Sequence, residues 1–138
     1  MMDIKNVSVI TLGCSKNEID SELMLALMEK NNFIIVNSLE DADIIIINTC
    51  GFIKDAKEES IETIWEITRY KKEGRCKFII LAGCLAERYS KELLEEIDEV
   101  EDVIGTGNIK EIISMITELQ KGRKKLEKTK NIDENYLE

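Results

Sequence analysis

Short apolar runs alternate along the chain with segments that have helical periodicity. Five runs have the length and composition of β-strands, and they cover residues 7–12, 33–36, 43–48, 77–82 and 102–105. Apolar residues at helical spacing predict helices over residues 17–30, 55–72, 90–97 and 108–122. The third and fourth strand runs are apolar on both faces. Such strands fit a sheet that helices cover on both sides.

This alternation predicts one three-layer α/β domain with a five-stranded, mainly parallel sheet and helices on both faces. Right-handed crossovers between the strands favour the flavodoxin-like strand order 2-1-3-4-5. We assign residues 1–120 to this domain. Residues 121–138 lose the apolar periodicity, and we expect them to form a linker or tail.

The helical patterns also predict which side chains are buried and which cap the helices. Asn17 is a candidate N-cap of the first helix, and Ser90 is a candidate N-cap of the third. Trp65 is expected in the core. The predicted apolar face of the first helix consists of Ile19, Leu23, Ala26 and Leu27.

Three of the predicted strands end on a cysteine. Cys14, Cys50 and Cys84 follow strands one, three and four, which are neighbours in the predicted order. The carboxyl ends of parallel strands open on one edge of the sheet, and adjacent strands lie about 4.8 Å apart. Each of these cysteines also has a glycine next to it, which would let a ligand approach the backbone. The pattern therefore predicts that the three thiols converge into a thiolate site.

The fourth cysteine, Cys76, precedes strand four, whereas Cys84 follows it. At about 3.3 Å per residue, the length of the strand places these two cysteines on opposite edges of the sheet. Cys76 is therefore excluded from the site, which would have three protein ligands and one open position. Buried cysteines also pack as small apolar residues, so core packing of all four stays an alternative at this point.

Composition narrows the chemistry further. The chain has 138 residues, four cysteines, no histidine and a net charge of −9. Without histidine, a metal site must use thiolates, carboxylates or backbone oxygens. The acidic body makes a strong nucleic-acid surface unlikely on charge grounds, because phosphates would be repelled. We find no signal peptide and no membrane-spanning run, and we expect a cytoplasmic protein with reduced thiols.

Four stretches resemble the N-terminal domain of the radical-SAM methylthiotransferase family. They are LGCSKNEIDSE (12–22), INTCGFIKDAKEES (47–60), LAGCLAERYSKEL (81–93) and IGTGNIKEI (104–112). The resemblance implies that Cys14, Cys50 and Cys84 bind an auxiliary [4Fe-4S] cluster with one open iron. From their positions beside Cys14 and Cys50, Asn17, Asn48 and Thr49 are candidates to line the cluster pocket or to hydrogen-bond its sulfurs, with helix capping by Asn17 and strand-end turn chemistry as the alternatives.

The resemblance further implies a transferase that inserts a methylthio group at an unactivated C–H bond. S-adenosylmethionine and a second [4Fe-4S] cluster belong to a central radical-SAM domain with a CxxxCxxC motif, and a small C-terminal domain helps to recognise the substrate. CxxxCxxC is absent from this sequence. We therefore expect this chain to need those domains as partners and to be inactive alone.

The motifs CSKN (14–17), DSE (20–22) and GCLAERY (83–89) resemble the branch that modifies an aspartate β-carbon of a small-subunit ribosomal protein (RimO-type). One alternative is the branch that modifies adenosine in tRNA (MiaB-type). Others are a flavodoxin-like nucleotide module and a zinc or thiol-redox protein. A glycine-rich phosphate loop is missing after the first strand, which argues against the nucleotide module.

Overall fold

The computed structural model describes residues 6–13, 15–50, 54–122 and 126–127, and its centre is a parallel β-sheet. Its strands are β1 (Asn6–Thr11), β2 (Ile34–Ile35), β3 (Ile44–Thr49), β4 (Phe78–Ala82), β5 (Asp102–Ile104) and β6 (Leu126–Glu127). Their order is β2-β1-β3-β4-β5-β6, and all neighbouring strands are parallel. The predicted α/β class and the 2-1-3-4-5 order are confirmed. The two-residue strand β6 extends the edge beside β5, inside the segment for which the sequence predicts a linker or tail.

Helices connect the strands across both faces of the sheet. They are α1 (Ser15–Lys30), α2 (Lys54–Thr68), α3 (Tyr70–Glu73), α4 (Gly83–Arg88), α5 (Ser90–Glu96) and α6 (Ile112–Gln120), with 3-10 turns at Leu39–Asp41 and Thr106–Glu111. None of the helices in the described part of the chain has the length and apolar character needed to cross a membrane.

Strand β3 separates two apolar clusters because its side chains alternate between the faces. Ile44 and Ile46 pack in a cluster with α1 and α6, which contribute mainly methionine, isoleucine and leucine. Ile45 and Ile47 pack in a second cluster with α2, α4 and α5. All residues of β3 and β4 are buried. Burial of each isoleucine contributes roughly 1.5–3 kcal/mol, so the two central strands anchor the fold and the loops at their ends.

Helix α1 differs from its predicted form at both its start and its buried face. It begins at Ser15, so Asn17 is a buried residue inside the helix and not its N-cap. Ile19 and Leu23 are 65% and 39% exposed. The buried positions are Asn17, Ser21, Met24 and Met28. The sequence LMLALM places apolar residues all around the helix. Its apolar periodicity therefore cannot decide which face packs on the sheet.

Two further expectations on helices are wrong. Trp65 is 49% exposed and does not belong to the core, because α2 packs through Ser60, Ile64 and Ile67. A helix also begins directly after β4, at Gly83, ahead of the helix predicted to start at residue 90. Tyr89 separates this helix α4 from α5, so Ser90 is the first residue of α5 and Tyr89 occupies the cap position.

Candidate functional site

Two of the three predicted site cysteines are described by the structure. Cys50 follows β3 directly and is only 4% exposed. Cys84 is exposed and occupies the second position of α4, directly after β4. Cys14 lies outside the described residues, although its chain neighbours Gly13 and Ser15 are described. We refer to residues 12–13, 48–50 and 82–84 as the carboxyl rim of the sheet.

Gly13, the residue before Cys14, packs directly against Cys50. Its φ of +92° lies in the left-handed region that glycine tolerates. A Cβ atom at this position would lie 2.5 Å from Cys50 Sγ and closer still to Cys50 Cβ, which no side chain could accommodate. The glycine therefore makes room for the neighbouring cysteine. The predicted role of this glycine, access of a ligand to the backbone, is not needed to explain its position.

Gly83 makes the equivalent contact between the other two segments. Its φ is +94°, and a Cβ atom there would lie 2.7 Å from Asn48 Oδ1 and 2.8 Å from Thr49 N. Thr49 and Gly83 also form a parallel β-bridge that continues the pairing of β3 and β4. The residues that adjoin Cys14, Cys50 and Cys84 in sequence are therefore in contact at one edge of the sheet.

Two asparagines bind the segment after β1 to the end of β3. Asn17 Nδ2 donates to the carbonyl oxygens of Leu12 and Thr49, both at 2.7 Å. Asn48 Nδ2 donates to Asn17 O at 2.8 Å and to Ser21 Oγ at 3.0 Å. An amide NH₂ group has two hydrogens, so both donors of each side chain are used within the protein.

Hydroxyl groups bind the end of β3 to the neighbouring helices. Thr49 Oγ1 donates to Ala82 O at 2.6 Å and accepts from Ala86 N at 3.0 Å. Ser60 Oγ accepts from Cys50 N at 3.0 Å and donates to Cys50 O at 2.9 Å. We call the side chains of Asn17, Ser21, Asn48, Thr49 and Ser60 the polar clasp.

The polar clasp changes the role expected for three of these residues. The side-chain donors of Asn17, Asn48 and Thr49 all bond protein groups, so they do not point a hydrogen at a bound sulfur. Within the described residues, Asn48 Oδ1 is buried and receives no hydrogen bond. It is an acceptor, which cannot donate to sulfide. These side chains hold the carboxyl rim together.

Cys76 lies just before β4, at the other edge of the sheet. It is 4% exposed and packs in the cluster that contains Ala42 and Ile45. Its Sγ donates to Phe78 O at 3.3 Å. Burial raises the pKa of the Cys76 thiol to about 11, so the group stays protonated at neutral pH. This thiol is a component of the core.

The donor set at the carboxyl rim favours iron–sulfur or other soft-metal chemistry. Thiolates are the ligands of iron–sulfur clusters, and the chain has no histidine. In the described residues, which lack Cys14, no three side chains of the metal-binding types come together. Two thiols, Cys50 and Cys84, remain at the described part of this edge.

Residues 6–105 match the protein family UPF0004, described as an uncharacterized family. The chain belongs to that family. This family is the N-terminal domain of the methylthiotransferases, as the sequence resemblance predicted. The match covers all of the described carboxyl rim and strands β1 to β5, whereas β6 lies outside it.

Curated relatives of the chain carry the name "Ribosomal protein uS12 methylthiotransferase RimO". The protein from Thermoanaerobacter sp. is 54% identical over 124 residues, which are 90% of this chain and 28% of that protein. The protein from Desulforamulus reducens is 49% identical over 118 residues, which are 86% of this chain and 27% of that protein. The chain therefore spans little more than a quarter of the length of these relatives.

Ser21 and Ser60 belong to the polar clasp and were not identified from the sequence. The sequence carries no signal for them, because only the structure shows that each serine is buried on the packed face of its helix. Ser21 is four residues after Asn17, so the two share that face of α1.

Proposed function

We propose that this chain is the auxiliary [4Fe-4S]-binding domain of a methylthiotransferase, with Cys14, Cys50 and Cys84 as the ligands. The observation that carries the proposal is the contact of Gly13 with Cys50 and of Gly83 with Thr49. These contacts connect the three cysteine-bearing segments at one sheet edge. Cys76 is not a ligand, because it is buried at the other edge.

The residues present fit such a group. Three thiolates bind three irons of a four-iron cluster, and when bound the cluster supplies one further iron that is open to an exogenous sulfur ligand. The Ser60 hydroxyl fixes the backbone of Cys50, while the Thr49 hydroxyl fixes the start of α4, where Cys84 lies. Because Cys84 is exposed, this side of the site is open to a substrate or to another domain.

The activity proposed for the whole protein is transfer of a methylthio group to the β-carbon of an aspartate in a small-subunit ribosomal protein. The name of the relatives, which cites ribosomal protein uS12, supports this substrate over tRNA adenosine. S-adenosylmethionine and the second [4Fe-4S] cluster belong to further domains of such a protein. We propose that it works in the cytoplasm and that residues 1–138 alone do not turn over.

Anaerobic reconstitution with iron and sulfide tests the proposal. We expect about four irons and four sulfides per chain, as a [4Fe-4S] cluster requires. The variants Cys14→Ala, Cys50→Ala and Cys84→Ala should each lose most of the iron. Cys76→Ala is the matched control, because it removes a cysteine equally buried with Cys50 and should keep the full iron content.

Two results would contradict the proposal. The first is iron loss in Cys76→Ala equal to that in Cys50→Ala, which would mean that the iron is bound without regard to the carboxyl rim. The second is stoichiometric zinc, or one reversible disulfide, with no acid-labile sulfide after anaerobic reconstitution. That result would favour the zinc or thiol-redox alternative.

A further inference from the structure

Beside the carboxyl rim, two cations lie against one aromatic ring. Lys57 Nζ is 4.4 Å from the centroid of the Tyr89 ring and donates to its hydroxyl at 3.2 Å. Arg88 Cζ is 5.8 Å from the same centroid. The ring face attracts cations, and the phenol oxygen accepts a hydrogen from the ammonium group. Tyr89 therefore contacts basic side chains from both α2 and α4.

Lys57 and Arg88 differ from two other basic residues, which have carboxylate partners. Lys71 pairs with Glu101, and Arg75 lies 3.4 Å from Asp43. No ion pair joins Lys57 or Arg88 to a carboxylate in the part of the chain that the structure describes. The chain as a whole has 28 acidic and 19 basic residues. A pair of unneutralised cations in such a protein is a local site for an anion.

The cation pair is one helical turn from the proposed ligands. Arg88 is four residues after Cys84 in α4, so both lie on one face of that helix, separated by a rise of about 6 Å. Lys57 is three residues before Ser60, the residue that binds the Cys50 backbone. An anion bound here would be adjacent to the carboxyl rim.

We propose that Lys57 and Arg88, held by Tyr89, bind a side-chain carboxylate of the protein substrate next to Cys84. Arginine offers a planar fork that matches a carboxylate, and lysine adds a point charge. A nucleic acid fits less well, because a phosphate backbone needs many cations and the rest of the chain is acidic. The assignment of the carboxylate to the protein substrate rests on the proposed function, whereas the anion site itself does not.

The test uses the full chain, free of iron and labelled with ¹⁵N, at low ionic strength. An end-blocked octapeptide whose one charged residue is an aspartate is titrated into it, and the same peptide with asparagine in that place is the matched ligand. We expect saturable shifts in the amide signals of residues 57–60 and 84–89 with the aspartate peptide. Exposed ion pairs contribute about 0.2–1 kcal/mol, so Lys57→Gln and Arg88→Gln should each weaken binding by up to about fivefold.

The variant Lys77→Gln removes an exposed lysine at the amino end of β4 and should bind like the unmodified chain. Equal binding of the asparagine peptide, or unchanged binding by a Lys57→Gln, Arg88→Gln double variant, would overturn the proposal. So would the absence of saturable shifts, or tighter binding of an octanucleotide. If aspartate binding persists in a chain that takes up no iron, the proposed function fails and the anion site stands. If the chain takes up iron but does not bind the aspartate peptide, the anion site fails and the proposed function stands.

Discussion

Cys50 and Cys76 are equally buried, at 4% exposure each, but their surroundings differ. Cys50 lies at the carboxyl end of β3, against Gly13, with its backbone groups bound by the Ser60 hydroxyl. Cys76 lies before β4, packed among aliphatic side chains and bonded through its thiol to Phe78 O. Burial of a cysteine therefore does not distinguish a ligand from core packing. The convergence of strand ends around Cys50 is what sets this proposed ligand apart from Cys76.

The two edges of the sheet are also held together by different interactions. At the amino edge, Asp43 accepts a hydrogen bond from Asn6 N and lies near Arg75, and Lys71 pairs with Glu101. At the carboxyl rim, the polar clasp uses neutral amides and hydroxyls. Because the polar clasp contains no carboxylate, it does not repel negative charge on thiolates at that edge. The neutral edge is better suited to an anionic metal centre.

The largest loss of stability is expected at the carboxyl rim, in the variant Gly83→Ala. A left-handed backbone without glycine costs about 1–3 kcal/mol, and the overlap with Thr49 adds a further cost of similar size. We therefore expect the free energy of unfolding to fall by roughly 3–5 kcal/mol in urea denaturation. Gly107→Ala is the control, because its added Cβ would meet no atom within 4 Å and its φ is unremarkable.

The variant Gly122→Ala measures the cost of backbone strain without the cost of steric overlap. Gly122 has a φ of +89° but open space around its Cβ position, so this variant should lose only the strain component. If Gly83→Ala were no more destabilising than Gly122→Ala, the close packing of Gly83 on Thr49 would be contradicted.

A smaller effect is expected for Thr49→Val, which keeps the shape of the side chain and removes its hydroxyl. Ala82 O and Ala86 N would lose their bonding partner, at a cost of about 2–3 kcal/mol in the free energy of unfolding. Thr49→Ser should restore most of this stability. Thr117→Val, which removes a hydroxyl from the exposed side of α6, should cost less than about 0.5 kcal/mol. Equal losses for Thr49→Val and Thr117→Val would show that the clasp hydroxyl is not a structural bond.

The smallest effect concerns the amino edge and depends on pH. Burial raises the pKa of the Cys76 thiol from 9.0 to about 11, so the unfolded chain loses this proton first as the pH rises. The stability contributed by the neutral thiol is complete below pH 9 and is lost between pH 9 and pH 11. The expected loss is about 2 kcal/mol, measured by urea unfolding at several pH values. Cys76→Ala should remove this part of the pH dependence, whereas Cys84→Ala should leave it. If the free energy of unfolding of Cys76→Ala still fell by the same amount between pH 9 and pH 11, the pH dependence would not come from the buried Cys76 thiol.

The sheet was the most predictable part of the fold. Runs such as residues 44–47, apolar on both faces, suit a covered parallel sheet, and the strand order follows from right-handed crossovers. The face of α1 was not predictable from periodicity, because Met24 and Met28 alternate with apolar residues on the other side. The start of α4 was missed because Gly83 and Cys84 resemble a turn. The two residues of β6 carry too little pattern to indicate a strand.

The candidate site was predictable only as a set of strand ends. The sequence placed Cys50 and Cys84 at neighbouring ends, and the structure agrees; the position of Cys14 stays a prediction. The polar clasp was not predictable, because its bonds join residues far apart in the chain. Asn17 and Thr49, for example, are 32 residues apart. Only the fold decides that these partners meet.

The amide of Asn17 closes a long loop by binding Thr49 O, and the Thr49 hydroxyl closes another by binding Ala82 O. Closing such loops lowers the conformational entropy of the chain, and this loss occurs when the domain folds. A ligand that joins the thiols therefore finds a preorganised set of segments and does not have to order them itself. The polar clasp therefore keeps the ends of β1, β3 and β4 together without the help of a bound group.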